Sequence, residues 1–339
     1  MNPLLTSSYD FSLPDELIAL RPASPKDSAK LLVYDRNSRQ ITHSTFSQIE
    51  KFLPKDVAIL FNNTKVIKAR VFGKKSTGGK IELLINRPLQ DNKIEVFIRG
   101  KVHSGSILSF DNNLTAEVVE MRENGSRSVV FSQNNKTLDF EELTNILESI
   151  GHIPLPPYIN REDEESDSKN YQTVFAKHNG AVAAPTASLH FTDELFKSVT
   201  SKHEHDYVTL HVGAGTFKPV ESENIIEHPM HSETYNINSH AKELIESEKK
   251  LLAVGTTVTR TVEYYVRHKQ SSGEANLFLH PQNRPQRIDH LLTNFHLPKS
   301  TLLMLVSSFI GIEEMHRLYD EAIKEKYRFY SYGDAILIL

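Results

Sequence analysis

The chain has 339 residues, a formal net charge of −4, 39% hydrophobic and 24% charged residues, which is the make-up of a folded globular protein and long enough for two domains. Cysteine is absent, and this excludes disulfides, thiolate zinc sites and a thiol nucleophile together. The negative balance excludes whole-surface electrostatic binding of nucleic acid and leaves that task to a local basic patch; no apolar run reaches bilayer-spanning length and no basic-then-apolar leader opens the chain, so a cytoplasmic protein is expected.

In chain order, Pro14 ahead of Asp15 and Glu16 predicts a short helix over Asp15–Leu20. Leu31–Tyr34 reads as a strand, and the unbroken apolar run Val57–Phe61 as a strand buried on both faces. From Val66 to about Val130 the pattern changes to short strands: Ile81–Ile85, Ile94–Arg99, Leu114–Met121 and Ser128–Phe131. Gly78-Gly79, Asp91-Asn92, Asp111-Asn112-Asn113 and Glu123-Asn124-Gly125 separate them, a hairpin spacing that predicts a small barrel or sandwich. At its entrance Lys65, Lys68, Arg70, Lys74, Lys75 and Lys80 form the densest basic segment of the chain. A solvated face and a phosphate-holding ribbon are equally open readings of it.

Residues 139–150 read as a helix stopped by Gly151, followed by a stiff Pro-rich arm from His152 to Ile159 and a polar stretch, Arg161–Asn170, expected to be a mobile loop. Next comes Gly180–Thr192, where Gly180, Ala181, Ala183, Ala184, Ala187 and Ser188 leave the backbone open to close approach and Pro185 blocks a regular helix. Thr192 suits the N-cap of a helix Asp193–Val199. The strand Asp206–Val212 runs into Gly213-Ala214-Gly215-Thr216-Phe217; Met230-His231-Ser232-Glu233 sets a His beside a carboxylate; and the strand Leu251–Gly255 gives way to Thr256-Thr257 and a helix Val258–His268. Three strand ends, near residues 184, 213 and 255, point to one shared crevice. Asp289–Pro298 is dense in polar groups beside aromatics, Ser300 is placed to cap a helix Thr301–Ile310, and an amphipathic helix over 313–326 precedes Tyr327–Ala335. That last segment reads either as a base-stacking site or as an aromatic core edge. The 16 His are scattered and show no ligand spacing, so no metal site is expected.

Several blocks together strongly resemble the S-adenosylmethionine:tRNA ribosyltransferase-isomerase family of queuosine biosynthesis. They are Asn63–Ile67, Gly151–Tyr158, Gly180–Thr192, Val208–Val220, Met230–Glu233, Val254–Thr257 with Arg260, Thr293–Pro298, Tyr327–Phe329 and Ser331–Asp334. The chain departs from the family pattern at Ser188, where Gly is usual, at Lys26 and Lys30, where Arg is expected, and at Lys68, where Pro is expected; Lys cannot offer the bidentate fork of Arg to a phosphate.

The resemblance implies a mixed α/β fold, with residues 1–63 and 141–339 as a discontinuous catalytic domain and residues 64–140 as an inserted β-barrel domain. It implies S-adenosylmethionine as a co-substrate, with no prosthetic group, and a tRNA carrying 7-aminomethyl-7-deazaguanine at the wobble position as the partner of a monomeric enzyme. The ribosyl group would be transferred and isomerised to give epoxyqueuosine-tRNA, adenine and methionine. On this reading His190 and His211 are acid or base candidates and Glu233 the partner of a cation or donor. Thr186, Gly213, Gly215, Thr216, Thr256, Thr257, Arg328 and Asp334 would hold S-adenosylmethionine, and Lys65, Lys68 and Arg70 the tRNA phosphates. The competing readings are a non-catalytic RNA-binding protein and an S-adenosylmethionine-dependent RNA methyltransferase.

Overall fold

The computed structural model describes every residue except Lys218 and Pro219, and of Thr216 and Phe217 the backbone alone. Nine strands form one mixed sheet, in the spatial order Ser272–Ala275, Glu233–Ile237, His205–Leu210, Ala58–Asn62, Leu251–Val254, His290–Asn294, Ala335–Ile338, Lys30–Asp35 and Gln40–Thr45. The strand Ala58–Asn62 is parallel to both of its neighbours, and all five of its residues are buried, as a continuous apolar run requires when helices cover both faces. Phe61 meets Phe191 and Phe196 edge-on at 5.8 and 5.3 Å between ring centres, so the helix Asp193–Lys202 packs its aromatic side on that strand. Thr192 caps this helix by accepting from the Leu195 amide, and the helix runs a turn beyond the expected Val199.

The second sheet is a closed antiparallel barrel. Its six strands are Arg70–Lys75, Lys80–Pro88, Lys93–Arg99, Ile107–Ser109, Leu114–Met121 and Arg127–Gln133, with Lys136–Thr137 added at one side. Arg127–Gln133 pairs with both Lys93–Arg99 and Leu114–Met121, which closes the ring and removes its edges. Alternate residues such as Ile81, Leu83 and Ile85 point inward and are buried. Positive φ at Asp91, Asn92, Asn112 and Asn113 is the backbone that tight hairpins demand. The helix Phe140–Ile150, opened by an Asp139–Glu142 capping box, buries Leu143 and Leu147 in the barrel core. Gly151 then crosses so near Lys68 that a Cβ would stand 2.2 Å from the Lys68 carbonyl oxygen; no other residue fits that crossing.

Two local expectations are corrected. Asp15–Leu20 is only a 3-10 turn, Asp15–Leu17. Arg161–Asn170 is pinned rather than mobile: Asp167, 1% exposed, takes two hydrogen bonds from the Arg161 guanidinium and a third from the Tyr332 hydroxyl, and the segment ends in a short helix, Asp167–Asn170. Among the described residues, no helix is long and apolar enough to cross a membrane.

Candidate functional site

The small-residue segment does make a close approach. Gly180 has φ +149, and a Cβ there would lie 2.7 Å from Nδ1 of His211. Beyond it the chain turns through Pro185 into a 3-10 turn, Thr186–Ser188. Opposite, Gly255 has φ +103 and releases the strand Leu251–Val254 into the helix Thr256–His268. The strand His290–Asn294 and the turn to Pro298 close a third side, and Tyr158, Tyr330 and Ser331 a fourth. Between them lies a cavity with about 820 Å³ of empty space, lined by residues 183–187, Val212, Gly255, Thr256, Thr257, Thr293, Asn294 and His296 among others.

Among the described residues, no Asp, Glu, Lys or Arg lines this cavity. His296 shares a 2.9 Å hydrogen bond with Thr293 Oγ1, and burial lowers its pKa to about 3. His190 stands behind the wall: the Asn294 amide nitrogen donates to its Nε2 at 3.2 Å, and its ring packs 4.8 Å from that of Phe46. Burial, then the nearby cations Arg328 and Lys26, bring His190 to about 3. Both rings are therefore neutral at pH 7. The rings of Tyr158 and Tyr330 pack with centroids 4.1 Å apart and planes tilted by 34°, and the Tyr158 hydroxyl donates to Ser331.

A second cavity, with about 710 Å³ of empty space, lies where the barrel meets the large sheet. Gly213, Gly215 and Met230–Glu233 line it from one side, and Asn86, Arg87, Glu95 and Asn124 from the barrel. Glu233 is paired with Arg260 at 2.6 Å, both side chains less than a tenth exposed, and it accepts from the Gly213 amide at 3.2 Å. Asn86 accepts from the Ala214 amide and donates to Glu95. Burial alone would raise the Glu95 carboxyl, but hydrogen bonds from Ser126, Arg87, Asn124 and Asn86 outweigh it and hold the group at about 2.

The structure brings together some of the residues singled out from the sequence and separates others. Thr186, Thr256 and Thr257 line the first cavity, whereas Gly213, Gly215 and Glu233 line the second; the expected shared crevice divides between Val212 and Gly213. Thr216 lies in the 3-10 turn Ala214–Phe217, and its side chain is outside the described residues. The His211 ring lines neither cavity: it shares a 2.8 Å hydrogen bond with Thr64 Oγ1, and burial, then His178, lower it to about 4. Arg328 and Asp334 face each other at 3.2 Å, and Asp334 also accepts from the Arg328 and Lys30 amides. This pair braces the final turn and lines neither cavity. In the basic segment, Lys65 and Lys68 share Glu148 and Arg70 is paired with Glu82 at 2.7 Å, so its charge is partly offset. Among the described residues, no cluster of three or more His, Asp or Glu is placed to hold a metal.

Asn294, His296, Tyr158 and Tyr330 line the first cavity without having been singled out as site residues from the sequence. The density of polar and aromatic residues in Asp289–Pro298 and Tyr327–Ala335 is the signal for three of them; nothing in the Pro-rich arm marks Tyr158 out.

The model of a family described as "Queuosine biosynthesis protein" matches residues 6–338. A Sulfurimonas denitrificans protein named S-adenosylmethionine:tRNA ribosyltransferase-isomerase is 62% identical over 337 residues, 99% of this chain and 98% of its own. A protein of the same name from Aliarcobacter butzleri is 59% identical over 339 residues, all of both chains. The crystal structure of an S-adenosylmethionine tRNA ribosyltransferase from Thermotoga maritima is 31% identical, with a TM-score of 0.54 across 98% of this chain and 100% of that one.

Proposed function

Because this chain belongs to the queuosine biosynthesis protein family, we propose that it is an S-adenosylmethionine:tRNA ribosyltransferase-isomerase. S-adenosylmethionine is its co-substrate and is spent as a ribosyl donor. The acceptor is tRNA with 7-aminomethyl-7-deazaguanine at the wobble position, and the products are epoxyqueuosine-tRNA, adenine and methionine. The observation that carries the reading is the first cavity. The segments that resemble the family, Gly151–Tyr158, Gly180–Thr192, Val254–Thr257, Thr293–Pro298 and Ser331–Asp334, lie far apart in sequence, yet each contributes to its wall.

In this reading Thr186, Thr256 and Thr257 line the donor site, and the Gly213–Gly215 loop, held by Glu233 and Arg260, borders it. The sulfonium acidifies the adjoining ribose carbon, so a modest base suffices to remove a proton there. His211 is the better base candidate: both histidines are neutral at pH 7, but His211 is only half-buried, whereas His190 is sealed behind Asn294 and acts through it. Departure of adenine is then helped by protonation of its ring. Lys65, Lys68 and Arg70, at the barrel entrance, would exchange their carboxylate partners for tRNA phosphates, an exchange that salt weakens. Residues 1–63 with 141–339 form the catalytic unit and residues 64–140 the inserted one, in a cytoplasmic monomer.

The test mixes the protein with S-adenosylmethionine and either modified or unmodified tRNA. Free adenine and methionine released in equal amounts, with modified tRNA only, support the reading. S-adenosylhomocysteine in their place would identify a methyltransferase, and tRNA binding without any small-molecule product a binding protein.

A further inference from the structure

Most side-chain polar groups that line the first cavity have partners. Thr293 is bonded to His296, Thr257 accepts from Asn62, Ser300 donates to the Leu297 carbonyl, and Ser331 accepts from Tyr158. Asn294 is different. It is 1% exposed, its amide nitrogen is committed to His190, and its Oδ1 is buried without a hydrogen-bond partner among the described residues. A buried carbonyl oxygen left unpaired is costly and is expected to meet a donor. Asn294 lines the first cavity, so a ligand that enters there is placed to supply that donor.

The walls say what kind of donor. Among the described residues no charged side chain lines the cavity, and the His296 imidazole in its wall is neutral at pH 7, so an ammonium group would enter without a counter-charge. The aromatic rings of Tyr158 and Tyr330 and the small side chains of Ala183, Ala184 and Ala187 across from them favour a planar ring. A neutral amino group on a planar heterocycle meets both conditions. Resting on the proposed donor S-adenosylmethionine, we infer that Asn294 reads the exocyclic amino group of adenine, and that the first cavity is the adenine end of the donor site. The sulfonium and the charged amino-acid tail then lie outside it. His190 becomes a positioning residue: by accepting from the amide nitrogen it turns the Asn294 carbonyl toward the ligand.

The 7-deazaguanine of the tRNA also carries a ring amino group, but its aminomethyl arm is cationic, and no carboxylate lines the cavity to receive it. Competition of adenosine, purine riboside, inosine and guanosine against labelled S-adenosylmethionine distinguishes the two bases. Adenosine should bind about tenfold to a hundredfold more tightly than purine riboside, which lacks the amino group, and than inosine, which presents an acceptor instead. In Asn294→Ala that gap should close to about threefold or less, with purine riboside binding as before. The wild-type ranking needs no variant, so it decides the matter even if Asn294→Ala does not fold. Equal binding of adenosine, inosine and purine riboside to the wild type would overturn the inference, as would tightest binding by guanosine. Adenosine preference that depends on Asn294, in a protein that releases no adenine with modified tRNA, would leave the inference standing while the ribosyl-transfer reading fails.

Discussion

At Glu233 a carboxylate is held 2.6 Å from the Arg260 guanidinium with almost no solvent around either. Removing one partner of such a buried pair leaves the other charge uncompensated, which typically costs about 3–5 kcal/mol. Arg260→Met should therefore lower the urea-unfolding free energy by about 3 kcal/mol or more, and the double variant with Glu233→Gln should regain part of that; single-variant stability within about 0.5 kcal/mol of wild type would show the pair to be dispensable. His190 and His296 give a second prediction. Their folded pKa, about 3, lies below the unfolded value near 6.5. Their contribution to stability is thus complete above that unfolded value and is lost as pH falls toward 3. Proton NMR of the imidazoles should show neither ring titrating between about pH 5 and 8. A midpoint near 6.5 for His190 would return it to the role of general base.

Among the elements, the glycine crossings decide how the site is assembled. Gly180→Ala would combine an unfavourable φ with a Cβ 2.7 Å from the His211 ring, so a loss of about 2–4 kcal/mol is expected on thermal or urea unfolding. Unchanged stability would mean that His211 swings clear. The sequence exposed this element well, because a run of glycine and alanine around a proline fills too little space to serve as ordinary core. Through regular spacing of Asn- and Gly-containing turns it also exposed the all-β insert as a barrel or a sandwich, the resemblance alone pointing to the barrel, and through the Ser300 cap the helix Thr301–Ile310. It concealed the strand Gln40–Thr45, a largely polar edge strand with little buried surface to mark it, and the final strand Ala335–Ile338, which owes its place to pairing with two distant strands. The role of Asn294 was hidden for a similar reason. Its committed amide and open carbonyl depend on His190, more than a hundred residues earlier, and no local pattern encodes that contact.

For the molecule as a whole, the barrel is tied to the large sheet by a small polar knot. Arg87 spans Glu95 in the barrel and Glu274 on the sheet's edge strand, while Asn86 holds the Ala214 amide. The Glu95 carboxyl, at about 2 against an ordinary 4.5, contributes stability that is fully present above pH 4.5 and is lost as pH falls toward 2. Acid unfolding should accordingly be steep over that interval in the wild type and shallower in Glu95→Gln; parallel curves would show that the knot does not couple the two parts. The most direct test of the central claim is to follow the donor's ribose. S-adenosylmethionine labelled with carbon-13 in the ribose is incubated with tRNA carrying 7-aminomethyl-7-deazaguanine, and the digested nucleosides are examined by mass spectrometry. The ribosyl-transfer account predicts the intact labelled ribosyl unit on the modified base, with unlabelled adenine and methionine released. An unlabelled tRNA beside ribose-labelled S-adenosylhomocysteine would contradict it.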